Sequence, residues 1–211
     1  MKWLDFLHVI DSSFPTGAYA HSSGLETLAP RNTDELERLL ALRVNETLGR
    51  FELVFVVHAY SASLVELDEL FHAMVQPREA REASRAIGAS LLRSASDIMD
   101  DARLTEFARR SEHHHLPIVF GAVAAAFDVP QQLAASTYAF QSMRSLVSAA
   151  QRLGRVGQRD AQRVLHRLKP AMREAVVTAQ QLTQESAGAF SPAWDIASMQ
   201  HEHAPVRMFV S

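Results

Sequence analysis

Residues 53–57 read Leu-Val-Phe-Val-Val, with Phe51-Glu52 before them and His58 after. Five apolar residues in a row suit a buried strand or a helix with no wet side, and periodicity alone does not separate the two. The surroundings decide. Upstream, Asn32-Thr33-Asp34-Glu35 is a helix start, with Glu35 three residues beyond Asn32 as in a capping box. Leu36, Leu39, Leu40 and Val44 then fall on one helical face. Near Gly49 the pattern passes into the apolar run, which reads as a buried central helix continuing to about Met74.

Working outward, the other segments carry the same period. Trp3, Leu4, Leu7 and Ile10 predict a short first helix, and Ser22 or Ser23 is placed to cap a second one ending before Pro30. Pro77 suits a helix N1 position ahead of the face Ala80, Ala83, Ile87, Leu91, Ala95. Asp100-Asp101 begins a helix that closes on Arg109-Arg110, as the helix dipole favours. His113-His114-His115-Leu116-Pro117 breaks the pattern, and Ile118 to Phe127 is an alanine-rich central helix. Pro130 opens the next, with Leu133, Thr137, Phe140, Val147 and Ala150 as its face. After Gly154-Arg155-Val156-Gly157, a long helix carries Ala161, Leu165, Leu168, Met172, Ala175, Ala179 and Leu182, with a kink expected at Pro170 and closure at Gly188. Ser191-Pro192 opens a last short helix. No alternating segments joined by hairpin turns occur. The fold class is all-α, a single compact bundle of about eight to ten helices.

Composition narrows the function. The 211 residues are 47% hydrophobic and 21% charged with a net charge of −3, so no basic excess exists to neutralise nucleic-acid phosphates. There is no cysteine, which removes disulfides and thiolate chemistry and suits a cytoplasmic protein. Met1-Lys2-Trp3-Leu4-Asp5 meets an acid before an apolar leader core forms. The most apolar stretch, Phe51 to Val65, falls short of the roughly 20 residues of a membrane span. No Gly-x-Ser-x-Gly elbow, Walker loop or Gly-x-Gly-x-x-Gly is present, and the reading assigns no catalytic residue and no cofactor.

What stands out is a loop. Asp11 to Leu28 gathers Ser, Pro and Gly around three larger residues, Phe14, Tyr19 and His21, and reads as a displayed surface or a packed connection. The helix from Ser136 to Leu153 mixes Ser142, Ser145, Ser148 and alanines with Arg144 and Arg152, which suits an interface or a tightly packed internal helix. In the tail from His201, Met208 and Phe209 are apolar residues on a segment too short to bury them alone; they dock on their own bundle or wait for a partner. Histidine offers weak metal candidates. His113-His114-His115 diverge on a helix although two could meet in a loop, and His201 and His203 have a His-x-His spacing. A solvated loop and a polar tail account for the same residues. No enclosed metal site is assigned, and His114, His115, His201 and His203 remain the candidates.

Five segments, in order, resemble the urease accessory protein F family. They are Asp11-Ser12 with Phe14-Pro15-Thr16-Gly17 and His21-Ser22-Ser23-Gly24-Leu25-Glu26; His115-Leu116-Pro117-Ile118-Val119-Phe120-Gly121; Ser145-Leu146-Val147-Ser148-Ala149-Ala150; Gln158 with Asp160 and Gln162; and Asp195-Ile196-Ala197-Ser198-Met199 with His201-Glu202, Arg207, Phe209 and Ser211. Gln200, His203-Ala204-Pro205 and Val210 depart from the closing signature. The resemblance implies a non-enzymatic, all-helical homodimer in the cytoplasm. Such a protein bridges a D/H-type urease accessory protein and the accessory GTPase G, so that nickel reaches apo-urease. It implies a helical domain over residues 1–200 and a docking tail over 201–211. Partner contacts are implied at Phe14, Tyr19, His21, Glu26, Arg144, Ser145, Ser148, Gln158, Arg207, Met208 and Phe209. The other reading is a nickel-binding metallochaperone that uses the histidine clusters.

Overall fold

A computed structural model describes residues 2–211. Among them there are ten helices and no strand. These are α1 (Trp3–Val9), α2 (Leu25–Leu28), α3 (33–58), α4 (Leu64–Met74), α5 (Arg78–Ser96), α6 (Ala102–Arg110), α7 (Leu116–Ala126), α8 (Gln131–Arg152), α9 (158–181) and α10 (Pro192–His201). Single 3₁₀ turns add Ala18–Ala20 and Gln184–Ser186.

The centre of the bundle is α3. It opens as α-helix over Thr33–Arg43, widens into a π-helix over Val44–Glu52 and tightens again over Leu53–His58. Asn32 caps it by accepting from the Glu35 amide at 2.9 Å. Glu35 turns to the Arg31 amide at 2.9 Å, so only half of the expected capping box forms. Leu53, Val54, Phe55, Val56 and Val57 are all buried. Around them pack α7, α8 and α9. Close approach needs small residues: a Cβ on Gly49 would lie 2.8 Å from the Ala175 Cβ of α9.

Helix α3 does not run to Met74. It stops at His58, and α4 restarts at Leu64 behind Ser63, whose hydroxyl accepts from the Glu66 amide at 3.4 Å. The turn is held from outside. Arg103 donates to the Ala62 carbonyl at 2.9 Å and the Tyr60 hydroxyl to the Val129 carbonyl at 2.8 Å. The kink in α9 is where Pro170 put it, between Gln158–Arg167 and Lys169–Gln181. Closure is not at Gly188, because the helix ends at Gln181 and the Gly188 amide bonds the Arg50 carbonyl at 3.0 Å.

Two helical faces differ from the sequence reading. In α1 the buried residues are Phe6 and Val9, with Phe6 edge-on to Phe120 at 6.1 Å, while Trp3, Leu4 and Leu7 face outward. In α8 the core side is Ala134, Ala135, Tyr138, Ala139, Met143, Leu146 and Val147, and Phe140 is exposed. Small residues are preferred where a helix is hemmed in on several sides, so the largest apolar residue of a segment need not mark its inner face. Pro77 sits one position earlier than expected, as the N-cap of α5.

Helix α5 lies against the His114–Leu116 main chain at Gly88. A Cβ there would strike the His114 carbonyl oxygen and come within 2.7 Å of the Leu116 nitrogen. Backbone cannot swing aside as a flexible side chain can. Gly88→Ala is therefore expected to cost about 3 kcal/mol, the upper range for overpacking, read as a lower urea midpoint with unchanged slope.

Candidate functional site

The tail docks on its own bundle, and three side chains distant in sequence hold it. Glu26 comes from α2, Glu79 from the first turn of α5 and His201 from the last turn of α10. His201 is fully buried, with Nε2 at 3.0 Å from Glu26 and Nδ1 at 3.0 Å from Glu79. Arg207 also reaches Glu79, at 3.0 Å. The Glu26 carboxylate also accepts from the Met208 amide at 2.9 Å and the Phe209 amide at 3.2 Å. Burial works to raise the Glu26 pKa, but the bonds from Met208, His201 and Phe209 outweigh it and hold the carboxyl below its ordinary value.

Beyond Glu26 the chain lies in the Asp11–Leu28 loop. The Val210 amide donates to the Ala20 carbonyl at 2.9 Å. The Ser211 main-chain oxygen accepts from the Ser22 hydroxyl at 3.0 Å and the Ser23 amide at 3.1 Å, and its hydroxyl meets His21 Nδ1 at 2.7 Å. Ser22 therefore holds the tail, and Gly24 takes the N-cap of α2 at φ 85°. Phe209 is 4% exposed and lies under the Arg152 guanidinium at 4.3 Å, a cation–π contact. The neighbours of Phe209 alternate with it. Val206, Met208 and Val210 are 85%, 63% and 64% exposed.

The same loop walls a second feature, a cleft of about 1130 Å³ between residues 9–23, the middle of α8 and the π-helical part of α3. Phe14, Tyr19, His21, Arg144, Ser145 and Ser148 all line it. Ser13 bonds the Asp11 carboxylate through its amide at 2.8 Å and through its hydroxyl at 2.5 Å, which holds the exposed Asp11 carboxyl below its usual range, with Arg144 assisting. Deeper in, Arg43 pairs with Glu52 at 3.3 Å and stacks over Trp194 at 4.8 Å. The Tyr138 hydroxyl donates to Glu52 at 3.0 Å. Burial first, and then the Glu52 charge, push the Tyr138 pKa far up, so this hydroxyl stays a donor.

The histidine cluster is packed, not open. Asp68 of α4 is fully buried and accepts from the His114 and His115 amides, each at 2.7 Å, and from the Ser111 hydroxyl. His114 in this grip stands at φ 57°, and the first amide of α7, Leu116, donates to the Ser84 hydroxyl at 3.2 Å. His72 stacks on His113 at 3.6 Å and 5°, while its Nδ1 meets His115 Nε2 at 3.1 Å. Stacked parallel rings send their lone pairs along parallel planes, which do not converge on one ion. His114 turns instead to the edge of Phe107, and both His201 nitrogens are occupied by carboxylates. Among the described residues no three His, Asp or Glu side chains are grouped to hold a metal.

The geometry thus sorts the residues picked from sequence. Phe14, Tyr19, His21, Arg144, Ser145 and Ser148 share the cleft, and Glu26, Arg207, Met208 and Phe209 share the tail dock. Phe14 is buried edge-on to His8 instead of displayed, and Gln158 stands apart at the exposed start of α9. Glu79, Asp68 and His72 carry no mark in the sequence, whereas Arg152 stands out beside Arg144 on its helix. Glu79 reads as an ordinary first-turn acid, and nothing local pairs it with a histidine 122 residues away.

The sequence model of the UreF family matches residues 31–169. The chain belongs to the UreF family. It is 31% identical to the urease accessory protein UreF of Bacillus sp. (strain TB-90), over 100% of this chain and 99% of that protein. It is 33% identical to that of Arthrobacter sp. (strain FB24), over 95% and 93%. The Geobacillus kaustophilus UreF is 31% identical, over 100% and 98%. The family model stops short of both the loop and the tail, whereas the Bacillus and Geobacillus proteins align over the whole chain. No helix among the described residues is long and apolar enough to cross a membrane.

Acid stability follows from the cluster. Burial first, then the neighbouring His72 and His113, push the His115 pKa from 6.5 down to about 3. The unfolded chain therefore binds this proton near pH 6.5 and the folded chain does not. Its contribution to stability is complete above 6.5 and is lost as pH falls from 6.5 towards 3. Carboxylates are still mostly ionised down to about pH 5. A fall in urea midpoint between pH 6.5 and 5 is thus expected to be histidine-driven, and His115→Leu should flatten it.

Proposed function

We propose that this chain is a non-catalytic urease maturation factor with two docking faces. The docked tail binds a D/H-type accessory protein. The cleft between the loop and α8 meets a second copy of the chain and the accessory GTPase G. In that assembly nickel is passed on to apo-urease, and the chain contributes scaffold geometry and not metal ligands. The observation that carries this reading is the two-sided tail. Phe209 and Ser211 are buried against the bundle and Arg207, itself partly in solvent, reaches Glu79, while Val206, Met208 and Val210 stand out in solvent beside an exposed Tyr19. A row of outward apolar residues on a fixed backbone is costly in isolation and useful at an interface. The order of the five family-like segments, and membership of a family whose members are named urease accessory proteins, agree with it.

The metallochaperone alternative is less well supported. Its strongest residue, His201, would have to give up a bond to Glu26 or Glu79 before it reached an ion.

Size-exclusion chromatography with light scattering tests the scaffold reading. The full chain is expected to form a complex with the D/H-type protein, and a chain ending before His201 is expected not to. Met208→Asp, which changes only the outward face, should weaken binding by about tenfold or more, as for loss of an interface anchor worth over 1 kcal/mol. Equal binding by all three forms would sink the assignment of the tail.

A further inference from the structure

The cationic side chains of α9 line neither the cleft nor the tail dock. We propose that the outer side of α9, together with the turn before it, is a third interaction surface, one that binds an acidic patch on a partner protein. This inference stands on charge and packing and does not need the docking reading.

Residues 155–173 hold Arg155, Arg159, Arg163, Arg167, Lys169 and Arg173, six of the chain's 21 lysines and arginines, against Asp160 alone of its 24 acids. This stretch therefore carries a charge of +5 and the rest of the chain −8. The helix sorts its residues by side. Ala161, Val164, Leu165, Leu168 and Met172 are buried, so the apolar side of α9 is committed to the core. All five arginines are exposed and Lys169 is half-buried. Arg159, Arg163 and Arg167 recur at every fourth residue, about 6 Å apart along the axis, and so neighbour one another on the outer side.

The bundle neutralises only part of this row. Arg163 pairs with Asp160 at 2.8 Å, and Arg167 reaches Glu37 of α3 at 3.0 Å. Arg155, Arg159, Lys169 and Arg173 form no ion pair among the described residues. Like charges four apart on a helix repel and weaken it, so the row does nothing for the stability of α9. An opposing set of carboxylates would remove that repulsion.

Three features favour a protein carboxylate surface over a nucleic acid. Arg167 already takes a glutamate from a neighbouring helix, and the guanidinium fork matches a carboxylate with two bonds. Residues 155–173 contain no aromatic side chain on which a base could stack. From Arg159 to Arg173 the helix advances only about 21 Å, and a long polyanion running past it would meet the −8 of the remaining chain. No large apolar residue between 155 and 173 is exposed, so the contact is electrostatic and sensitive to salt.

Fluorescence anisotropy on the full chain tests the surface, with a labelled helical peptide carrying glutamate at every fourth position as the probe. Binding is expected at low ionic strength and should weaken about tenfold or more at physiological salt. The double variant Arg159→Glu, Arg173→Glu removes two exposed, unpaired cations and should cost about tenfold or more in affinity with an unchanged urea midpoint. Lys2→Glu with Arg93→Glu makes the same change in net charge at two exposed cations outside α9 and should leave affinity within about twofold. No binding at low salt, or equal loss in the two double variants, would overturn the surface. Tighter binding of a DNA duplex of equal charge would overturn the choice of an acidic protein as its partner.

Discussion

The segment 53–57 is buried on every side, and that constraint organises the molecule. A helix without a wet face needs neighbours all round, and each must come close without leaving voids. Alanine-rich α7, the small-residue face of α8 and α9 with Ala175 at Gly49 meet that requirement. The π-helical turns just before it are part of the same fit. Widening the helix over Val44–Glu52 seats Gly49 on α9 and leaves Arg43 and Glu52 to pair across the widened stretch. The polar floor of the cleft is thus a consequence of how the central helix is packed.

Charge inside this bundle serves the main chain. Asp68 fastens the His114 and His115 amides, and Glu26 fastens those of Met208 and Phe209. Each is a carboxylate gripping irregular backbone that no helix satisfies, because buried N–H groups need acceptors. The two segments differ in what they carry. The Asp68 grip leads straight into α7 and makes a stable joint. The Glu26 grip holds a strip with an inward anchor, Phe209, and an outward apolar row.

Histidine illustrates how residue type misleads without geometry. His-x-His and a run of three are compositional signs of metal binding. Here His201 bridges two acids, His72 and His113 stack, and His115 is held neutral in the interior. The residues that matter beside them, Glu79 and Asp68, carry no local mark at all. They look like a first-turn acid and a mid-helix acid, and become partners of His201 and of the 114–115 main chain only when remote chain arrives.

The all-helical class, most helix limits, the kink at Pro170 and the membership of an accessory family were all legible in the amino acids. Caps, prolines and three-to-four spacing act over a few residues, so a linear reading captures them. The end of α3 at His58 and the inner faces of α1 and α8 were not legible, because bonds from Arg103 and Tyr60 and crowding by other helices settle them. The tail was half legible. Its apolar residues were visibly stranded, and sequence left open whether they dock. Tertiary structure decided it by bringing Glu26 and Glu79 to His201 across 175 and 122 residues, a juxtaposition that no local propensity encodes.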